Sequence, residues 1–477
     1  MQKKLTKIVA TIGPASDTPD MITTLIKHGV NIFRFNFKHN SIDWHGERIQ
    51  RVNAIAKKLH TPVGTLIDLQ GPEIRIVMNT EKLDLTEGDT VTIHSTKERI
   101  KGRGFTLTHP TIIPTLKNGD TVIADDGTFV FTVIKSGDVV TLQSQSTGIL
   151  KDHKSINIPN GTFDFPLLVD RDFEGLKLAA LHEIDFVALS FVRSAKDVHA
   201  LHKEMAKYHV DAHIISKIET QLAIENIDEI IDISDGIMIA RGDLGVEAPI
   251  ERVPYYQKTI IQKCIQRQKT VITATQMLES MIEHPRPTRA EVSDVANAVY
   301  DWTDCTMLSA ESAAGSYPIE AVDLMTKTFL FYEKKIQQDI RHEIDIETGN
   351  ETAMIAATAY DLYIQHQTQL SKTNPLQGFM IFTQSGRSVS YLSRFRPRVP
   401  IFAFTPFSEV RDKLTMLYGV YPFINKTESE NVVTLKSIIR EKENLVRKEY
   451  LSPEARLIVL HGQAWAKGKG LNCIRII

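Results

Sequence analysis

Short apolar, β-branched runs along this chain are each followed by a longer stretch whose apolar residues recur at helical spacing. The short runs predict strands over 7–11, 31–37, 63–69, 184–191, 213–218, 236–240, 270–275 and 305–310. The longer stretches predict helices over 20–28, 44–60, 173–181, 195–208, 221–231, 254–267 and 290–300, with a last one over 318–338. Eight strands alternating with helices is the pattern of an α/β fold of the (β/α)8 TIM-barrel type, although an open sheet shares the alternation.

The rhythm breaks once. Between Pro72 and Pro166 the helical period vanishes and turn signals recur, at Glu87-Gly88-Asp89, Asn118-Gly119-Asp120, Asp125-Asp126-Gly127, Ser136-Gly137-Asp138 and Asn160-Gly161. Runs such as 121–124, 129–134 and 139–143 read as short strands between them. The expectation is a small all-β domain inserted after the third barrel strand, where a lid over the active-site face would sit. A further α/β alternation follows, with strands over 378–382, 400–404, 456–460 and 472–477 and helices near 352–369, 388–395, 408–418 and 434–447. The chain thus divides into a catalytic barrel (1–71 and 167–334), an inserted β-barrel-like lid domain (72–166) and a C-terminal α/β domain for regulation or oligomerisation (335–477).

Composition narrows the function classes. Of 477 residues, 42% are hydrophobic and 24% charged, a globular mix, and 56 Lys and Arg against 58 Asp and Glu leave a net charge of −2. So balanced a chain offers no field to hold a polyanion, which argues against nucleic-acid binding, and no apolar run is long enough for a membrane span. Three distant cysteines, Cys264, Cys305 and Cys473, suit a reducing cytoplasm and make neither a disulfide scaffold nor a cysteine zinc site.

Buried parallel strands should be almost purely apolar, yet here the carboxyl ends carry ionisable groups. They are Arg34 and Asn36, Asp68, Ser190 and Arg193, Lys217 and Glu219, Arg241 and Asp243, Thr275, and Ser309 and Glu311. Such a ring on one barrel face marks a catalytic mouth. Arg34 with Asn36, and Lys217 with Glu219, lie two residues apart and so share a side. Arg34 and Lys217 suit phosphate; Glu219 and Asp243, from neighbouring strands, suit Mg²⁺ or Mn²⁺. Gly242 and Gly245 flank Asp243 where a short helix would offer backbone N–H groups to an anion. The set describes metal-assisted phosphoryl or enolate chemistry.

At these residues the chain resembles the pyruvate kinase family along essentially its full length. The segments that carry the resemblance are Thr6–Ser16, Gly71–Arg75, Ser216–Glu219, Ala240–Glu247, Ala274–Met281, Pro285–Glu291 and Ser293–Ala298, in order and on the strand ends already chosen. The resemblance implies transfer of the phosphoryl group of phosphoenolpyruvate to ADP, giving ATP and pyruvate. It implies Glu219 and Asp243 as Mg²⁺ ligands, Lys217 on the moving phosphoryl group, Arg34 on phosphate, and Thr275 near the carbon that is protonated. The backbone of Gly242 and Asp243 would receive the substrate carboxylate. Asn36, His39 and Arg75 fall on the nucleotide side, with Trp44 where the family often has a tyrosine near the adenine. A homotetramer is the family's habit.

Two places depart from the pattern or extend it. The family's Asn-Phe-Ser-His-Gly reads Asn36-Phe37-Lys38-His39-Asn40 here, and Leu69-Gln70 replaces Thr-Lys. In potassium-requiring members the serine, with the positions matching Asn36, Asp68 and the carbonyl of residue 69, binds K⁺. Lys38 brings an ammonium to that place, as a substitute paired with Asp68 and Glu73 or as a stem swung into solvent above a degraded K⁺ site. In the last domain Thr383-Gln384-Ser385-Gly386-Arg387-Ser388 resembles the family's loop for a phosphorylated allosteric effector, with Gly462–Gly470 as a cover; a plain helix cap is the alternative. The rival activities are a metal-dependent pyruvate-enolate lyase or aldolase, which would not use Lys217 or the insertion, and a catalytically silent metabolite sensor.

Overall fold

The computed structural model describes residues 3–477 apart from 97, 99, 101, 160, 162–165, 337, 371–374, 426–432 and 463–469. The covering segment expected at 462–470, with Trp465, Lys467 and Lys469, and Asn160 of the last turn signal therefore lie largely outside the described residues.

Eight strands, β1 (Lys7–Thr11), β2 (Ile32–Asn36), β3 (Gly64–Asp68), β4 (Phe186–Leu189), β5 (His213–Ile218), β6 (Gly236–Ala240), β7 (Thr270–Ala274) and β8 (Cys305–Leu308), pair in parallel in chain order, and β8 closes on β1. The fold is the expected (β/α)8 barrel. Its interior is apolar below, where Val9, Ile32, Leu66, Phe186, Ala188, Ile215, Met238, Ile272 and Met307 pack together. The two-residue period of a strand then decides what lies above them. Ile32 leads to Arg34 and Asn36, Leu66 to Asp68, Ala188 to Ser190, and Ile215 to Lys217 and Glu219. The register sets Asn36 beside Asp68, so the ionisable groups form the top layers of one stack.

Several strands end earlier than the apolar runs suggested. The fourth stops at Leu189 and the eighth at Leu308. Phe191 (φ 55°) and Thr275 (φ 65°) take up left-handed backbone just past their strands, which turns the chain over the barrel mouth. The helix expected over 221–231 is two, Gln221–Glu225 and Ile227–Ile233, broken where the Asn226 side chain donates to the Arg193 carbonyl (2.9 Å). The helix expected to reach 338 ends at Tyr332, because the Glu333 carboxylate turns back to the N–H groups of Leu5 and Thr6 (2.7–3.0 Å).

Between β3 and β4 the inserted segment builds a seven-stranded sheet and a two-stranded one over their own core, which includes Ile76, Phe105, Phe129, Phe131 and Leu142. Among the described residues the C-terminal sheet has five strands, where four were expected. The addition, Val420–Ile424, carries Pro422, which hides it from pattern reading, and its place at the sheet edge is where a proline is tolerated. The helix expected over 408–418 is Ser408–Lys413 followed by a 3₁₀ turn, Leu414–Met416. That turn drives Met416 into the barrel floor, within the interior core.

The same junction buries an ion pair. Arg396 reaches Asp304, at the foot of β8, at 2.8 Å, and donates to the carbonyls of Trp302 and Ser393; Asp304 also accepts from the N–H groups of Tyr418 and Val271. Both side chains are almost wholly buried. Removing one partner strands the other charge, at about 3–5 kcal/mol. Arg396→Ala should therefore lower unfolding stability in urea by about that amount; a loss under about 1 kcal/mol would show that the pair does not hold the C-terminal domain to the barrel.

Candidate active site

The barrel mouth is organised around Asp68. Arg34 grips one of its oxygens with Nε and one terminal nitrogen, both at 2.7 Å, and spends its other nitrogen on the Thr11 hydroxyl (3.0 Å). Lys217 Nζ stands 3.3 Å from the other oxygen, 2.7 Å from Glu219 Oε1 and 2.9 Å from Ser190 Oγ. All of these groups are buried. Burial alone would raise the Asp68 carboxyl; Lys217 and Arg34 reverse that and hold it below the usual carboxylate range. Burial works against the Lys217 charge as well, and Asp68, Glu219 and Asp243 together outweigh it, so the ammonium is held protonated. Glu219 is pushed up, by burial first and then by Asp243, with Lys217 pulling the other way. Lys217 and Glu219 thus meet on one side, as their two-residue spacing suggested, and Asp243 lies near enough to act on both charges.

These groups fit a hard divalent ion. One oxygen of Glu219 accepts from the Phe191 N–H (2.7 Å), and the other is in charge contact with Lys217 yet has no aligned hydrogen-bond donor. A buried carboxylate oxygen left open suits Mg²⁺, which takes one or two protein carboxylates and completes its shell with water and substrate oxygens. Among the described residues no group of three or more His, Cys, Asp or Glu could hold a metal; the expected pair Glu219 and Asp243 would leave the rest of the shell to water and substrate.

Asp243 lies on a short helix, Arg241–Glu247, that follows β6. The expected backbone cradle is partly engaged: the Gly242 N–H donates to Thr275 Oγ1 (2.8 Å), and that hydroxyl itself donates to the Ala274 carbonyl (2.6 Å). Arg241 turns away from the mouth to Asp294 and the Thr275 carbonyl (2.7 Å each), which fixes the left-handed turn that presents Thr275. Arg193 pairs with Asp197 at the wall of the cleft above the mouth, and Glu311 caps the backbone at Ser309 and Leu278.

The inserted domain covers the mouth and leaves a cleft of about 220 Å³, with Glu73, Asp126 and Asn157 on its side and Phe191, Asp243 and Glu247 on the barrel's. Asn157 donates to Glu247 across it (2.8 Å). At the hinge, Asp172 accepts from Gln70 and Gly71, where the chain leaves the barrel, and from Val169, where it returns. Sequence reading missed Thr11, Asp172 and the Asn157–Glu247 contact. They are lone polar residues whose partners lie far along the chain, and no spacing signals them.

The segment after β2 gathers the remaining expected residues except one. Lys38 is about four-fifths buried, 3.8 Å from Glu73 and 5.3 Å from the centre of the Phe191 ring. Glu73 also takes Arg75 (2.8 Å). The Lys38 stem therefore does not swing into solvent, and its close acid is Glu73; an ion pair with Asp68 is absent, since Arg34 and Lys217 already take that carboxylate. Asn36 Oδ1 accepts from the Lys38 backbone N–H (3.2 Å), and the Leu69 carbonyl accepts from Ser190 (2.7 Å). Burial, and then Arg34, Lys38 and Arg75, push the His39 imidazole below its usual range, with Glu73 pulling the other way. Arg171, a further residue missed, donates to the carbonyls of Phe37, His39 and Asn40 and pins this segment. Trp44 is the exception: one face of its indole is covered by the Arg48 guanidinium (4.6 Å), and it does not line the cleft.

In the C-terminal domain Thr383, Gln384, Ser385, Arg387 and Ser388 line a separate cavity of about 430 Å³. Gly386 supplies the tight turn (φ 80°), and its N–H donates to Thr383 Oγ1 (3.0 Å).

Comparison with known proteins agrees with this geometry. The family model described as pyruvate kinase, barrel domain, matches residues 3–322, and that for the pyruvate kinase alpha/beta domain matches 364–477. A pyruvate kinase of Clostridium acetobutylicum is 40% identical over 435 residues, 89% of each chain, and one of Thermotoga maritima 36% identical over 475 residues, 99% of each. A crystal structure of a pyruvate kinase from Cryptosporidium parvum superposes with a TM-score of 0.91 at 29% identity, covering 99% of this chain and 96% of that one. With its mouth of paired carboxylates and buried cations under an inserted β domain, this chain belongs to the pyruvate kinase family.

Proposed function

We propose that the chain transfers the phosphoryl group of phosphoenolpyruvate to ADP, giving ATP and an enolpyruvate that is protonated to pyruvate, the last step of glycolysis. The observation that carries the reading is the Lys217 ammonium held among Asp68, Glu219 and Asp243 at the mouth of the closed barrel. Glu219 and Asp243 would hold Mg²⁺ or Mn²⁺, which when bound neutralises oxygens of the substrate phosphate and carboxylate. Lys217 places a fixed, water-excluded positive charge where the transferring group spreads its own charge over three oxygens. Arg34, anchored by Asp68 and Thr11, holds phosphate. Thr275 Oγ1 lies on the same rim and would take part in protonating the enolate carbon through ordered water, which supplies the proton; a substrate carboxylate received at Gly242 and Asp243 would compete with that hydroxyl for the Gly242 N–H. Asn36, His39 and Arg75 form the nucleotide side under the inserted domain. Trp44 meets the adenine only on the face that Arg48 leaves open. The lyase reading leaves Lys217 and the inserted domain without a task, and the sensor reading leaves the intact metal pair unexplained.

The cation beside Glu73 is read as built in: the Lys38 ammonium takes the place of K⁺, since the Asn36, Asp68 and Leu69 oxygens are already engaged within the chain. The cavity at 383–388 is read as the seat of a phosphorylated effector, with Arg387 as its cation. No described helix is long and apolar enough to cross a membrane; a cytoplasmic homotetramer is the assembly proposed.

Pyruvate should form from phosphoenolpyruvate only with ADP and Mg²⁺ present, and chelation should abolish it; formation without ADP would point to the lyase. Lys217→Met should cut phosphoryl transfer by about 10²-fold or more while pyruvate methyl protons still exchange with solvent; wild-type turnover in that variant would remove Lys217 from the mechanism. Turnover of the unaltered chain should be the same with and without added K⁺, and Lys38→Ser should create a K⁺ requirement; a steep requirement before substitution would refute the built-in cation. Among sugar phosphates and nucleotides, at least one should raise the melting temperature, and Arg387→Ala should remove the rise. If none does, the loop is a helix cap.

A further inference from the structure

We propose that Ser190 is a positioning residue for phosphoryl transfer, its hydroxyl fixing the Lys217 ammonium and tying it to the carbonyl of Leu69 beyond β3. The proposal rests on the role given to Lys217 above. Ser190 follows β4 on the inward side, in the row Phe186, Ala188, Ser190, and is fully buried. Its oxygen stands 2.7 Å from the Leu69 carbonyl and 3.4 Å from Asp68 Oδ1. A hydroxyl has one proton to give, and the shorter contact takes it. The oxygen's lone pairs are thereby turned to Lys217, whose Nζ donates to it at 2.9 Å.

Lys217 Nζ has three oxygens close to it: Ser190, to which it donates a hydrogen bond, and Asp68 and Glu219, with which it is in charge contact. Glu219 is the partner whose oxygen a divalent ion would draw on, which frees that direction for the moving phosphoryl group. Ser190 and Asp68, on the ends of adjacent strands, retain the other two. A neutral hydroxyl suits this task better than a third carboxylate would, because it orients the ammonium without cancelling its charge. Since Leu69 belongs to the set expected around the monovalent cation, the same hydroxyl also links that site to Lys217. Displacement of a fixed group by about 1 Å costs on the order of 10²-fold in rate, so the loss of one of two anchors should be visible in turnover.

Ser190→Ala in the full-length chain should lower kcat for phosphoryl transfer about tenfold to a hundredfold, with KM for phosphoenolpyruvate within about twofold and pyruvate methyl-proton exchange unchanged. Ser190→Cys, which keeps a side chain of similar shape but a weak acceptor, should show the same split and serves if the alanine variant fails to fold. A kcat within about twofold of wild type overturns the proposal, as does a proton exchange that falls in step with transfer, which is what general damage to the mouth produces. Wild-type protein inactive on phosphoenolpyruvate and ADP would instead sink the function, and an active Lys217→Met would sink the role of Lys217; either result is separate from Ser190 failing alone in an active enzyme.

Discussion

The arrangement depends on one buried carboxylate shared between two cations. Asp68 faces Arg34 with one oxygen and Lys217 with the other, on strands that the barrel closes side by side. Each of these charges loses several kcal/mol of hydration on burial, and only mutual contact and full hydrogen bonding return it. That is why Thr11, Ser190 and the Phe191 N–H are drawn in around them. Glu219 is pushed up first by burial and then by Asp243, against the pull of Lys217 and Lys38. A divalent ion between Glu219 and Asp243 would pull the same way as the two lysines. Stability and chemistry point the same way here: the group that most lacks a partner is the one assigned to the metal.

The rest of the chain secures that layer from both ends. Below, an apolar interior sealed by Met416 and the Arg396–Asp304 pair makes the C-terminal domain part of the barrel floor. A shift in that domain therefore bears on the feet of the strands whose tips hold the charged groups. Above, Asp172 ties both strands of the hinge to one carboxylate, so the inserted domain can turn about a fixed point without its roots separating. The Asn157–Glu247 contact then joins its far side to the helix that carries Asp243.

Much of this was legible because a β-strand repeats every two residues. Arg34 with Asn36, and Lys217 with Glu219, stand among apolar neighbours; parity puts each pair on one side of its strand, and their place at the carboxyl ends puts them at the top. The insertion was legible because turn residues replaced the helical period over nearly a hundred positions. What escaped depended on partners distant in the chain. The Gly242 N–H looked free until the turn at Thr275 brought a hydroxyl to it, and Trp44 looked available for stacking until Arg48, one helical turn along, covered it. Val420–Ile424 escaped because local composition, with Pro422 at its centre, argues against a strand that the sheet edge permits.

Phe191 shows how a tethered cation can stand in this mouth at all. Its left-handed backbone aims its N–H at Glu219, while its ring lies beneath the Lys38 ammonium. A bulky residue in that conformation is strained, and such strain persists only where surrounding contacts over-determine it. Here one strained turn serves two charges at once, an acid in the metal pair and the cation proposed to replace K⁺. A dissociable ion fills such a place only in proportion to its concentration, whereas an ammonium on the chain is present at high effective concentration whatever the medium. The cost is reach: a lysine stem must follow the strand end that carries it, so the cation sits toward Glu73 and the inserted domain and does not come within ion-pair distance of Asp68.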